Sequence, residues 1–206
     1  MKWITTVLAI AGLAFSGWKA FEALEAKSAQ KEAVNLIAPI VAYRDIYESG
    51  RSREANDLLL RAVALLIKAE NEGGDPREIL RVAERINNTP VNYSDLLTDS
   101  MLRNIKIARE LKLDTPANLE LMSEGKSPIV GSGPYTGEKI EVDHIVPRSL
   151  APDLDNLLIN LEMMPMTLNR RKSNKVTERA AAMAKRFYEA GVMTPDSFER
   201  VMKAKS

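Results

Sequence analysis

The chain contains no cysteine, which excludes disulfides, a thiol nucleophile, Cys-ligated zinc and a lipoprotein anchor. It contains one histidine, His144, so multi-histidine metal centres are excluded and any imidazole chemistry rests on a single residue. Aromatic residues are only 5%, and Leu, Ala, Ile and Met carry the apolar content, a balance that leans helical. Charge of either sign is also lacking in excess. With 29 Lys and Arg against 28 Asp and Glu, attraction to nucleic acid or membrane must come from local clusters. What remains is ordinary globular usage, 45% hydrophobic and 28% charged, which excludes wholesale disorder and collagen-like structure. A length of 206 residues suits one compact domain with an accessory piece, or two small domains.

Met1-Lys2 is followed by an uncharged stretch from Trp3 to Trp18 with an apolar centre, Val7 to Phe15. Ala14-Phe15-Ser16 before Gly17 puts small residues where a signal peptidase reads. The stretch is short for a bilayer-spanning helix, which needs about 20 apolar residues. Residues 1–18 are therefore expected to be a signal peptide, with a membrane anchor or a buried helix as alternatives. The first two make the protein exported, periplasmic or secreted, or anchored in the membrane.

Residues 19–125 are expected to form a helical domain. Pro39 divides its first part. A helix is expected from Arg53, after a Ser52 cap, to about Asn71, ended by Gly73-Gly74. Its residues Ala55, Leu58, Leu59, Ala62, Val63, Leu65, Leu66 and Ala69 form one apolar stripe. Asp75-Pro76 opens a second helix, with Asp75 as N-cap. Ser94 or Asp95 starts a third. Glu70, Glu72, Asp75 and Glu78 are imaginable as a metal site, but a solvated helix end is the ordinary explanation of such a cluster.

The composition changes at Gly131-Ser132-Gly133-Pro134. Lys139-Ile140-Glu141-Val142-Asp143 alternates as a strand does and runs into His144. A loop follows, then a second strand within Asn160–Pro165 and a helix from Met166. Neighbouring strand residues point to opposite faces, so Asp143 and His144 have different tasks. A carboxylate suits magnesium or manganese, and neutral imidazole takes a proton from water near neutral pH. Asn169 offers an amide oxygen as a second ligand. Together these are a minimal set for phosphodiester hydrolysis.

The run Val142-Asp143-His144-Ile145-Val146-Pro147-Arg148-Ser149, with Asn160-Leu161 and then Asn169-Arg170-Arg171-Lys172, resembles the HNH endonuclease family and its ββα-metal fold. The nine-residue step from Asn160 to Asn169 matches the family's spacing. Pro165 and Leu168 stand where zinc-binding members carry cysteines, so the chain is similar to the zinc-free type, in which apolar packing replaces the metal staple. The resemblance covers roughly Pro128 to Val176. It implies that His144 is the general base, that Asp143 and Asn169 bind one divalent cation (Mg2+ or Mn2+), and that Asn160 holds the loop and orients the His144 ring. Asn156 is a rival for that last role.

Between Thr167 and Arg186 stand seven basic residues and one acid. Basic clusters are usually solvated faces. Beside a nuclease motif they point to phosphate contact, and Arg148, Arg170, Arg171, Lys172, Lys175 and Arg179 are the expected nucleic-acid-binding residues. Ser173-Asn174 interrupts the run and Thr177 is a credible new N-cap. Tyr135 packs rather than stacks on a base. Gly191 ends a helix whose core residues are Ala180, Met183, Ala184 and Phe187, and Pro195-Asp196 opens a terminal one.

The expected architecture is α+β, mostly α: a helical N-terminal region, an HNH domain over 126–190 and a C-terminal helix over 191–206. The implied activity is metal-dependent hydrolysis of DNA, or RNA as well, with low sequence specificity, no structural zinc and no small-molecule cofactor. The rival expectations are an exported nucleic-acid-binding protein with an inactive HNH-like fold, and a helical adaptor in which the Asp-His pair is structural. Oligomeric state and biological role are not legible.

Overall fold

A computed structural model describes residues 27–28, 30–42, 52–173 and 175–205. The expected export segment, 1–18, lies outside them. Among the described residues no helix is long and apolar enough to cross a membrane.

The first helix, α1 (residues 30–37), ends just before Pro39, as proline at that point requires. Next comes α2 (Ser52–Asn71), which ends where expected and starts at Ser52, the residue expected to cap it from outside. Its buried set is wider than one stripe: Leu60, Ala64 and Ile67 are buried beside Leu59, Ala62, Val63 and Leu66. The reason is position. Three later helices, α3 (Pro76–Ile86), α4 (Val91–Glu110) and α5 (Pro116–Ser123), all pack on α2.

Local chemistry sets most of these boundaries. The Asp75 carboxylate accepts from Arg77 N at 2.9 Å, and Pro76 sits in the first turn, where its missing N–H costs nothing. The third helix begins earlier than expected, at Val91 after Pro90, without a side-chain cap. The Ser94 hydroxyl donates instead to the buried carboxylate of Glu84, which Thr98 Oγ1 also reaches at 3.2 Å. Burial nonetheless holds the Glu84 carboxyl above its ordinary range. Helix α5 was not anticipated, although Thr115-Pro116 repeats the cap-proline signal and Thr115 accepts from Asn118 N at 3.4 Å.

From α5 the chain crosses to a small sheet through Gly131, whose N–H donates to Leu111 O at 2.8 Å. A Cβ at residue 131 would lie 2.8 Å from Lys112 O, so this close passage requires glycine. Strands β1 (Ile140–His144) and β2 (Leu161–Pro165) pair antiparallel, with Asp143 opposite Glu162 and His144 opposite Leu161. Helix α6 (Met166–Lys172) follows directly and stops at Ser173, which takes φ 49°. Thr177 then caps α7 (Glu178–Glu189), accepting from Ala180 N at 3.1 Å. Gly191 turns the chain with φ 71°, and α8 (Pro195–Ala204) closes it under a Thr194 cap. The fold is α+β and mostly α, with a single two-stranded sheet among the described residues.

The helical layer and the ββα unit share one core. Leu59, Leu66, Leu97 and Met101 belong to the same buried cluster as Leu154, Leu158, Leu161 and Met163, across the 125/126 boundary. Helix α4 also closes the outer edge of β2 with side chains. Asn104, fully buried, donates to Leu161 O at 3.2 Å and accepts from Met163 N at 2.9 Å, so its amide stands in for a third strand. Ser100 Oγ donates to Leu158 O at 2.8 Å. Asn104→Ala leaves Met163 N without its partner and Leu161 O with only the 3.5 Å bond from Arg103 Nη2. The expected loss is about 2–4 kcal/mol in urea unfolding, against little change for the exposed control Lys106→Ala.

Candidate functional site

The two faces of β1 divide the site. Glu141 and Asp143, two residues apart, lie on the face that α6 packs against, while His144 turns to the loop that leads to β2. On the α6 side the contacts form a ladder. Asn169 Nδ2 donates to Glu141 Oε2 at 2.8 Å, and one turn later Lys172 Nζ donates to Asp143 Oδ2 and to the carbonyl of His144. Lys172 and Asp143 are mostly covered, with side-chain exposures of 17% and 20%. Thus Asp143 and Asn169 are brought to one strand–helix interface but do not touch. Lys172, expected to meet phosphate, sits on Asp143 instead.

On the other side His144 Nε2 donates to the carbonyl of Asp155 at 2.9 Å. A carbonyl can only accept, so this bond needs the proton on Nε2, and in the neutral ring the lone pair is then on Nδ1. Asp155 Oδ1, itself buried, lies 3.0 Å from the same nitrogen without hydrogen-bond geometry. The loop carrying Asp155 is held by Asn160, which is fully buried. Its amide donates to Val146 O at 3.0 Å and Leu154 O at 3.4 Å and accepts from Val146 N at 2.8 Å. The side-chain bonds that tie this loop to Val146 thus come from Asn160. Asn156, the rival, has a buried Oδ1 with no partner among the described residues.

The basic residues separate into two groups. Arg148, Arg170, Arg171 and Lys175 are exposed, with Arg148 only 3.9 Å from Asp155 Oδ2 as its nearest carboxylate. Arg179 is engaged: it grips Glu162 with both terminal guanidinium nitrogens, Nη1 at 2.8 Å. Glu162 is buried on β2 and also meets Arg103 Nε at 3.3 Å. This pairing holds the Arg179 guanidinium above its usual range, chiefly through the Glu162 hydrogen bonds. Burial lowers Arg103. Arg179 thus ties α7 to the sheet, a structural duty that its place in a basic run did not reveal.

Four residues were missed. Glu141 was readable in principle, because the alternation Glu141-Val142-Asp143 puts two carboxylates on one face. Glu138 clamps the start of α6 to the entry of β1. Its carboxylate accepts from Thr167 N at 2.9 Å and Thr167 Oγ1 at 2.7 Å at the start of α6, and these bonds hold it below the usual carboxylate range. Leu168, at one of the two positions expected to pack, is 37% exposed. Asp155 and Asn104 gave no signal that local pattern could expose.

Hard oxygen donors suited to magnesium or manganese are present: the Asp143 carboxylate, whose Oδ1 has no partner among the described residues, and the Asn169 amide oxygen, likewise without one. They fit a site in which few protein groups hold the ion. Three of the four carboxylates farther up the chain are otherwise occupied. Glu70 pairs with Arg109, Glu78 meets Arg81 at 2.9 Å, and Asp75 caps α3. Among the described residues no group of three or more His, Asp or Glu side chains gathers around a common point. The chain matches no protein-family model, no curated protein and no solved structure.

Proposed function

We propose that this chain is a metal-dependent endonuclease of the HNH type that hydrolyses DNA phosphodiester bonds with low sequence specificity. The observation that carries the proposal is the His144 ring, bonded to the Asp155 carbonyl so that the neutral ring's lone pair is on Nδ1, at the end of the strand that holds Asp143. A buried asparagine clamps the loop behind that ring, and an α6 asparagine stands across from the strand's carboxylates.

In the reaction His144 Nδ1 takes a proton from water, the water oxygen bonds to phosphorus, the bond from phosphorus to the leaving oxygen breaks, and that oxygen takes a proton from solvent water. Asp143 and Asn169 would hold a divalent cation, which would supply charge stabilisation as the phosphodiester is cleaved. Asn160 acts at one remove, by keeping the Asp155 carbonyl in place. Arg170, Arg171 and Lys175 meet backbone phosphates, a contact that carries no base information.

The rival proposal, a nucleic-acid-binding protein that keeps the fold without cutting, draws on Lys172, whose ammonium lies on the carboxylate that must bind the cation. A supercoiled-plasmid assay on the full chain separates the two. Nicking that needs magnesium or manganese and stops with chelator is the expected result. A folded protein that binds DNA but never cuts, whatever the metal, would leave the rival standing. The exposed arginines have their own test. Arg170→Gln with Arg171→Gln should weaken binding to all sequences alike and reduce the slope of log affinity against log salt by roughly two. An unchanged slope in fluorescence anisotropy would remove both residues from the interface.

A further inference from the structure

The placement of Lys172 has a chemical cost unless it serves the site. Arg170 and Arg171, its neighbours on α6, are exposed, and all three lie in the last helical turn, where the helix dipole already favours cations. Lys172 alone is folded back under the helix. Its ammonium is clamped by Asp143 Oδ2 and the His144 carbonyl. Both acceptors belong to the Asp-His pair.

We propose that Lys172 is an internal counter-cation of the metal site: it neutralises Asp143 in the metal-free protein and competes with the divalent cation for that carboxylate. This rests on the nuclease proposal above and assigns Lys172 a role different from simple phosphate contact. The charge balance gives the logic. Glu141, Asp143 and Lys172 sum to −1 in the metal-free ladder, which attracts a cation and repels a phosphate backbone. When a dication replaces the ammonium, the two carboxylates are neutralised and Lys172 rejoins the basic surface with Arg170, Arg171 and Lys175. The site therefore binds metal before DNA.

Removing the competitor should tighten metal binding. By titration calorimetry of manganese into the full-length protein without DNA, Lys172→Met should bind about tenfold more tightly than wild type, and Lys172→Arg no more tightly than wild type. Equal or weaker binding by Lys172→Met overturns the proposal while leaving the nuclease intact. If neither folded protein binds manganese, both proposals fall together. A second measurement needs no variant. The Lys172 side-chain 15N resonance of the wild-type protein should move toward that of solvated lysine as magnesium is added, and a resonance that stays put at saturation overturns the competition.

Discussion

Replacing His144 with alanine should lower metal-dependent plasmid nicking by at least about a hundredfold, because a positioned general base contributes roughly 10²–10⁴ in rate. DNA affinity and the unfolding midpoint should change little. Among the described residues the ring makes a single hydrogen bond, to the Asp155 carbonyl, so the fold loses about 1 kcal/mol or less. It lies on the face of β1 away from the α6 ladder, so metal binding at Asp143 and Asn169 should also survive. The assay is nicking of supercoiled plasmid beside anisotropy on the same preparation. Cutting that persists in His144→Ala would sink the assignment of the base, and with it the mechanism.

Asn160→Ala should have the largest effect on the folded state. It deprives Val146 N and Val146 O of their partner in a fully buried setting, while Leu154 O keeps its bond from Leu157 N at 3.4 Å. Leaving buried backbone groups unpaired costs about 1–3 kcal/mol each with partial relaxation, so a total near 3–5 kcal/mol is expected in urea unfolding. Activity should fall beyond what the lost stability explains. The loop that Asn160 ties down carries the carbonyl that sets the His144 proton, and a loosened loop frees the ring to take the other tautomer. Asn156→Ala is the matched control, since the Asn156 Oδ1 has no partner among the described residues and its loss should be mild. If the two variants behaved alike, the clamp would not be the reason for Asn160.

The parts of this protein that were legible in its sequence are those decided within a few residues. Asp75, Thr177 and Pro195 announce helix starts because capping is a local bond, and the Lys139–Asp143 alternation announces a strand because pleating is local. Asn160 and the Asp143-His144 pair were legible through spacing and resemblance. What stayed hidden depends on elements far apart in the chain. Asn104 looks like an indifferent helix residue until α4 lies along β2. Lys172 and Arg179 look like any other members of a basic run, and only the docking of α6 and α7 on the sheet separates them from Arg170 and Arg171. The start at Val91 was missed for a different reason: Ser94 resembles a cap, and its hydroxyl serves Glu84 instead.

The core that runs without interruption from α2 through α4 to β2 has a consequence for how such a module can travel between proteins. A two-stranded sheet is at best marginal by itself in water, and here its outer edge is completed by an asparagine from α4. The ββα segment is therefore not a transplantable cassette. Cut out at residue 126 and fused to another partner, it would lose the layer beneath it and the surrogate strand beside it. Inheritance or engineering must carry the α2–α4 scaffold along with the Asp-His pair.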